Sequence, residues 1–169
     1  MTAARSRPAP RGGASSAASF AFVAVASFGA VLAALVSQHA FGMQPCPWCV
    51  LQRLIFVAIG AFALLGLVWR GAAGSRVTAT LALLLAVAGV ATAFWHHFVA
   101  AKSASCNLTL ADRVVGATQL DRLLPDVFEA RASCADAAVD LFGIPYAMWA
   151  ALAFVLCAVA LLRILRASV

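Results

Sequence analysis

The fold is decided by the stretch CPWCVLQRLIFVAIGAFALLGLVW, residues 46–69, which is apolar over most of its length. About 20 consecutive apolar residues are enough to cross the hydrocarbon core of a bilayer as a helix. Three further runs of this kind exist, so we predict spans over residues 19–41, 49–69, 77–98 and 144–162. Because lipid offers the backbone no hydrogen-bonding partners, these spans must be helical. The sequence therefore predicts an all-α membrane protein, a bundle of four transmembrane helices.

The composition of the whole chain excludes a water-soluble globule. Of its 169 residues, 64% are hydrophobic and 11% are charged, and the mean hydropathy is +0.99. Soluble domains are roughly half apolar and a quarter charged. The length allows one domain, which we assign to residues 19–169. Residues 1–18 are rich in Ser, Ala, Pro, Gly and Arg, and we interpret them as a disordered cytoplasmic tail.

The charged residues predict the orientation of the bundle, because Lys and Arg are retained on the cytoplasmic side. The loop 99–143 carries all six acidic residues of the chain, so we place it outside, on the side opposite the cytoplasm, with segment 42–48. Both termini are then cytoplasmic. The net charge of +6 is an orientation signal, and with no basic stripe we predict no nucleic-acid binding. The basic residues at the cytoplasmic edges are Arg5, Arg7, Arg11, Arg70, Arg76, Arg163 and Arg166.

Four of the five cysteines fall in the two segments placed outside: Cys46, Cys49, Cys106 and Cys134. An oxidising compartment favours two disulfides, and the sequence leaves their connectivity open. Two alternatives to a redox role are inert structural disulfides and a four-sulfur zinc site, although the usual second close pair of a zinc site is missing. Cys157 lies within the fourth span, and we predict that it is a small buried packing residue.

The motif Cys46-Pro-Trp-Cys49 is the most informative cysteine pair. A C-x-x-C ring is tight for a structural disulfide and tends toward redox activity. The motif also stands where the second helix begins, and a helix N-terminus stabilises a thiolate. Arg53 follows Cys49 by one helical turn, on the same face. A charge inside an apolar span predicts a functional residue, and the alternative is a side chain that extends to the outer interface.

These features together resemble the bacterial inner-membrane disulfide bond formation protein B (DsbB) family, from the first span to the fourth. The resemblance rests on an ordered set of motifs: Pro45-Cys46-Pro47-Trp48-Cys49 with Gln52-Arg53, the pair Cys106 and Cys134, Leu124-Pro125-Asp126-Val127-Phe128 before Ser133-Cys134, and Gly143-Ile144-Pro145 with Trp149.

The resemblance implies a thiol:quinone oxidoreductase of the inner membrane that sustains disulfide formation in exported proteins. Its partner would be a periplasmic thioredoxin-like oxidase of the DsbA type, and its electron acceptor ubiquinone or menaquinone from the membrane pool. In this relay Cys106 forms the mixed disulfide with the partner and Cys134 exchanges with Cys46. Cys49 then faces the quinone. No metal ion is expected in the site.

Further residues are expected near the quinone. Arg53 would stabilise the Cys49 thiolate and polarise a quinone carbonyl. His96 or His97 would assist a quinone oxygen or relay its protons, although an interfacial polar pair is the alternative. The family carries a histidine near this place, but here the spacing to Cys106 is shorter, so the choice between the two stays open. Trp149 lines the quinone cleft or belongs to the aromatic belt at the membrane surface.

The periplasmic loop contains a helical pattern of apolar residues, formed by Leu120, Leu123, Leu124, Val127 and Phe128. Pro125 interrupts this pattern, so we predict a short interfacial helix. Two rival classes remain. One is a quinone-epoxide-reductase-like membrane enzyme, whose C-x-x-C comes late in the chain rather than after the first span. The other is a membrane scaffold or transporter subunit with structural disulfides.

Overall fold

The structure is a computed structural model that describes residues 12–69, 71–102 and 109–167. Its elements in chain order are α1 (Gly12–Phe41), α2 (Pro47–Val68), α3 (Ala72–Phe98), a short 3-10 turn (Ala100–Lys102), α4 (Leu110–Thr118), α5 (Leu120–Leu123), α6 (Pro125–Phe128), β1 (Asp140–Leu141), β2 (Ile144–Pro145) and α7 (Tyr146–Ala167). Helices α1, α2, α3 and α7 are each long and apolar enough to cross a membrane, which confirms the predicted four-helix membrane bundle.

The four long helices pack in a closed ring. Helix α2 packs mainly against α1 and α3, and α7 packs mainly against α3 and α1. The interior face of α3 consists of small residues that are fully buried: Ala79, Ala82, Ala86 and Ala93. Small residues let helix backbones approach closely, which is the usual way that membrane helices gain packing contacts.

Gly89 shows how closely α3 and α7 approach each other. A Cβ atom built at this position would lie closer than 3.0 Å to the ring of Phe154, which is itself fully buried. On its other side the Phe154 ring stacks on Phe56 of α2, with ring centroids 3.8 Å apart. The absence of a side chain at residue 89 therefore makes room for an aromatic stack that joins three of the four helices.

The observed helices extend beyond some of the predicted boundaries. Helix α1 begins at Gly12, so residues 12–18, which we assigned to the disordered tail, are helical. The alanines and serines there continue the backbone hydrogen bonding, since alanine has the highest helix propensity. Residues 1–11 of the predicted tail lie outside the described residues. Helix α3 likewise begins at Ala72 rather than at 77, and α7 continues to Ala167.

The loop between α3 and α7 folds over the N-terminal end of α2, where α4 and α6 make their contacts. Helix α4 was not predicted, and it begins with a capping box in which Thr109 and Asp112 bond each other's backbone N–H groups. The single interfacial helix that we predicted is divided at Pro125 into α5 and α6, since proline cannot supply the N–H that a continuous helix needs. Phe128 packs inward, whereas Leu123 is exposed.

A small hairpin leads into α7. Asp140 pairs with Pro145 and Leu141 with Ile144. The two residues between the strands, Phe142 and Gly143, both have positive φ angles, of 56° and 77°. This is the backbone of a two-residue hairpin turn, in which both central residues are left-handed and glycine is favoured. Trp149 donates its indole N–H to the carbonyl of Leu141 at 3.2 Å, and this bond fixes the hairpin against α7.

We expect Gly89→Ala to destabilise the bundle by about 1–3 kcal/mol, because the added methyl group overpacks the Phe154 ring. The matched control is Gly29→Ala on α1, where an added Cβ meets nothing within 4 Å. Thermal unfolding in detergent should show a lower midpoint for Gly89→Ala and no loss for Gly29→Ala. Equal midpoints for the two variants would contradict the close α3–α7 contact.

Candidate active site

Cys46 and Cys49 occupy the first turn of α2. Cys46 is the N-cap of this helix, with an extended backbone, and Pro47 takes the first helical position, where a missing N–H costs little. The Cys46 sulfur accepts a hydrogen bond from the backbone N–H of Cys49 at 3.3 Å. The two Sγ atoms lie 2.7 Å apart. The helix start therefore places both sulfurs at one point of the fold.

His96 completes a buried cluster with these two cysteines. Its Nε2 lies 3.4 Å from the Cys46 Sγ, and the side chain is almost fully buried on the inner face of α3. The ligand atoms of Cys46, Cys49 and His96 all lie within 4.8 Å of one another. This donor set of two sulfurs and one imidazole differs from the four-sulfur zinc site considered above, which would require Cys106. Residues 103–108, which include Cys106, lie outside the described residues.

Cys134 is brought to the same cluster from the loop between α3 and α7. The carbonyl of Pro45 accepts hydrogen bonds from the backbone N–H groups of Arg131 at 2.9 Å and Ala132 at 3.2 Å. These bonds tie the segment before Cys134 to the residue before Cys46. The Cys134 thiol is buried and lies in hydrogen-bonding contact with the Cys46 sulfur. Three sulfurs therefore stand in sequence, with Cys46 between Cys134 and Cys49.

The contact between Cys46 and Cys134 shifts the pKa values of the two thiols in opposite directions. The hydrogen bond with Cys46 lowers the pKa of Cys134 below that of an ordinary cysteine. Hydrogen bonds with Cys134 and Cys49, together with burial, raise the pKa of Cys46. Cys134 is therefore the first of this pair to lose its proton, and the thiolate is the form of a cysteine that attacks a disulfide.

Arg53 is buried within the membrane-spanning part of α2 and does not extend to the outer interface. Its Nη1 donates to the Gln38 Oε1 at 2.7 Å and to the carbonyl of Val127 at 2.9 Å. Its Nη2 donates to the carbonyl of Ala34 at 3.3 Å. Arginine carries five N–H groups, so these three bonds with described residues leave two for another partner. The charge of Arg53 also acts on the Cys49 sulfur one turn away.

A cleft of about 310 Å³ opens beside Cys49, between α1 and α7. This volume falls within the range of small-molecule sites. Two polar side chains of the cleft wall, Gln52 and His96, each carry a buried nitrogen with no hydrogen-bond partner among the described residues: Nε2 of Gln52 and Nδ1 of His96. Alanines of α1 and α7 provide the space, namely Ala30, Ala33, Ala34, Ala147, Ala150 and Ala153.

The remaining predicted site residues divide between the cleft and its surroundings. Trp149 lines the cleft. Of the two histidines, His96 reaches the cleft, whereas His97 packs edge-on against Phe98, with ring centroids 4.7 Å apart. Successive residues of a helix point in different directions, so one histidine is presented inward and the next is not. Cys157 is fully buried beside Ser27, which confirms its prediction as a packing residue.

Gln38 is a buried residue beside the site that the sequence analysis did not single out. Its Nε2 donates to the carbonyl of Asp126 at 3.2 Å, while its Oε1 accepts from Arg53. An uncharged amide inside an apolar span is a weaker signal than an arginine, but it is a signal of the same kind. The Pro45 carbonyl was also missed, because any residue supplies a carbonyl and its use depends on the tertiary fold.

Comparison with known proteins identifies the family of the chain. Residues 16–164 match the family model of the disulfide bond formation protein DsbB. The chain belongs to the DsbB family. The disulfide bond formation protein B of Ralstonia nicotianae is 35% identical over 156 residues, which cover 88% of this chain and 92% of the relative.

Two further relatives, from Burkholderia pseudomallei and Pseudomonas savastanoi, are named disulfide bond formation protein B and disulfide bond formation protein B 1. They are 39% and 36% identical, each over 75% of this chain and 75% of the relative. With its four spanning helices, this DsbB family member is a multi-pass membrane protein of disulfide bond formation.

The hydrogen bond between Cys134 and Cys46 predicts how a substitution changes thiol acidity. In Cys46→Ala the bond is lost, so the pKa of Cys134 should rise toward that of an ordinary cysteine. The measurement is the rate of Cys134 alkylation against pH in fully reduced protein, followed by mass spectrometry. The pH of half-maximal rate should move upward in Cys46→Ala and stay in place in the control Cys157→Ala. A downward movement in Cys46→Ala would contradict the assigned bond.

Proposed function

We propose that this protein is a thiol:quinone oxidoreductase that reoxidises a periplasmic thioredoxin-like thiol oxidase of the DsbA type. One observation carries the proposal: the sulfurs of Cys134, Cys46 and Cys49 stand in sequence, and Cys49 opens on a cleft beside Arg53. This arrangement connects a hydrophilic loop, which a soluble partner can reach, with a cleft at membrane depth. Membership of the DsbB family supports the same direction of chemistry.

The proposed relay begins with both disulfides formed. A thiolate of the reduced partner attacks Cys106 in the Cys106–Cys134 disulfide, and Cys134 leaves as a thiolate. Cys134 then attacks Cys46 in the Cys46–Cys49 disulfide, and Cys49 leaves as a thiolate. The second thiol of the partner displaces Cys106, which completes the partner's disulfide. Cys106 next attacks Cys134 and restores their disulfide, so that Cys46 and Cys49 remain as the reduced pair.

The electron acceptor is proposed to be a membrane quinone, either ubiquinone or menaquinone. A quinone accepts two electrons and two protons. The overall exchange therefore converts the partner's dithiol to a disulfide and the quinone to a quinol. The cleft fits such a ring: it is largely apolar, and the orphaned nitrogens of Gln52 and His96 are suited to carbonyl oxygens. Arg53 has two N–H groups without a partner among the described residues, with which to hold the Cys49 thiolate and attract an oxygen that gains electron density.

The orientation in the membrane is part of the same proposal. The cysteines and the loop 99–143 face the periplasm, and both termini face the cytoplasm of a bacterial inner membrane. The supporting observations are the acidic loop and the arginines at the opposite edges of the bundle. No metal ion and no nucleic acid take part in the proposed reaction.

The decisive experiment is quinone reduction by purified protein supplied with a reduced DsbA-type oxidase, followed by absorbance. Wild type should turn over, and Cys49→Ser should lose at least about 99% of the rate, because the nucleophilic thiolate is removed. Cys46→Ser, Cys106→Ser and Cys134→Ser should each lose turnover in the same way. Cys157→Ser is the matched control and should retain it, since this buried thiol packs beside Ser27 away from the cleft.

Full activity of any of the four site variants would exclude the relay as written. Absence of turnover in folded wild type would favour the scaffold class, in which the disulfides are inert. A mixed disulfide that accumulates between Cys106 of the wild-type protein and a reduced partner variant lacking its second, resolving thiol would support the relay independently of quinone chemistry.

The cleft generates a second prediction, for Gln52→Leu. If Gln52 donates to a quinone carbonyl, the KM for quinone should rise roughly fivefold, because one buried hydrogen bond contributes about 1 kcal/mol. The KM for the reduced partner should not change. The rise should be equal for a dimethoxybenzoquinone and a naphthoquinone without alkoxy groups, since both carry the carbonyl. A rise confined to the dimethoxy compound would assign the bond to a methoxy oxygen and contradict the prediction.

A further inference from the structure

We propose that Gln38 is a positioning residue for this reaction. The oxygen of its amide fixes the position of the Arg53 guanidinium. The nitrogen holds the loop segment that places Cys134 beside Cys46. The kinetic part of this inference rests on the proposed function, whereas its structural part concerns the loop alone and is measured separately.

The amide of Gln38 is buried and forms a hydrogen bond at each end. The side chain is 2% exposed, near the C-terminal end of α1. Arg53 can only donate hydrogen bonds and a backbone carbonyl can only accept them. The atom 2.7 Å from the Arg53 Nη1 is therefore the oxygen, and the atom 3.2 Å from the carbonyl of Asp126 is the nitrogen. The network itself fixes the orientation of the amide.

Two attachment points hold the loop segment 126–132 against the membrane helices. At one end, Gln38 bonds the carbonyl of Asp126 and Arg53 bonds the carbonyl of Val127. At the other end, the Pro45 carbonyl accepts from the N–H groups of residues 131 and 132. Cys134 lies two residues after the second point. The position of Cys134 at Cys46 thus depends on both attachments, and one of them depends on Gln38.

The same residue also acts toward the cleft. The bond from Arg53 to the Gln38 Oε1 is the shortest of the three hydrogen bonds that Arg53 donates. Arg53 also lines the cleft next to Cys49. Removal of this acceptor would leave a buried N–H unpaired and free the guanidinium to rotate toward other oxygens. A single amide therefore couples the position of the loop to the position of the charge that faces the quinone.

Two substitutions separate the two ends of the amide. Gln38→Glu keeps an oxygen acceptor for Arg53 but replaces the donor to Asp126 with an oxygen that repels its carbonyl. Gln38→Leu removes both bonds. The matched control is Gln44→Leu, a glutamine that follows α1 and is exposed. Circular dichroism and thermal unfolding establish that each purified variant is folded before it is assayed.

Hydrogen exchange of residues 126–132 measures the attachment of the loop without any quinone. We expect roughly tenfold faster exchange in Gln38→Glu and in Gln38→Leu, since a docking hydrogen bond is lost in both, and wild-type exchange in Gln44→Leu. Steady-state kinetics measures the other end. The KM for quinone should rise roughly tenfold in Gln38→Leu and stay within about twofold of wild type in Gln38→Glu, because the carboxylate still holds Arg53.

The rate at which Cys134 and Cys46 exchange, followed by quenched alkylation after addition of reduced partner, should fall in both variants. Unchanged exchange protection of residues 126–132 in Gln38→Glu would overturn the inference. An equal rise in the KM for quinone in both variants would also overturn it, since a merely structural defect moves both alike. If wild type reduces no quinone, the proposed function fails, while the hydrogen-exchange result still decides the attachment of the loop.

Discussion

A guanidinium buried in a membrane helix needs oxygen acceptors for its N–H groups. Arg53 of α2 donates hydrogen bonds to oxygens of two other elements, α1 and α6. Insertion of a charged side chain at membrane depth costs about 2.5–3.5 kcal/mol on the most lenient scale, so the acceptors are essential. Ala34 and Gln38 lie on α1, and Val127 lies on α6 in the loop between α3 and α7. The bonds that satisfy one charge therefore also fix α1 to α2 and draw the loop down onto the bundle.

The placement of the cysteines follows from this constraint. With α6 held near Arg53, the backbone that follows it reaches the Pro45 carbonyl, and Cys134 arrives beside Cys46. The same arginine lines the cleft, in the space that small residues leave between α1 and α7. One side chain thus contacts both the loop and the cleft.

Hydropathy predicted the four helices, because each span needs a long apolar run and nothing else in the chain has one. It placed the helix ends less well: Ala14, Ala17 and Ala18 continue α1 although they lie before the most apolar residues. Helix α4 was predictable from the Thr109–Asp112 capping signature, which was overlooked in a polar loop. The role of Gly89 was not predictable, since it depends on the Phe154 ring of another helix.

The chemistry of the site was predictable where it depends on side chains of unusual type for their location. The C-x-x-C motif and Arg53 are of this kind. Gln38 is a common residue whose importance appears only when its two partners are known, and the Pro45 carbonyl has no sequence signature. The choice between His96 and His97 required the direction in which α3 presents each ring. Cys106 lies outside the described residues, so its part in the relay stays a prediction.

The row of three sulfurs limits how many disulfides its members can form with one another. Cys46 forms one covalent bond to sulfur at a time, so the trio Cys134, Cys46 and Cys49 holds at most a single disulfide and always leaves an odd sulfur. When Cys46 is joined to Cys134, the odd sulfur is Cys49 at the cleft, and when Cys46 is joined to Cys49 it is Cys134 in the loop. Cys134 and Cys49 therefore cannot both be bonded to Cys46 at the same time, so a disulfide leaves one end of the row whenever it forms at the other.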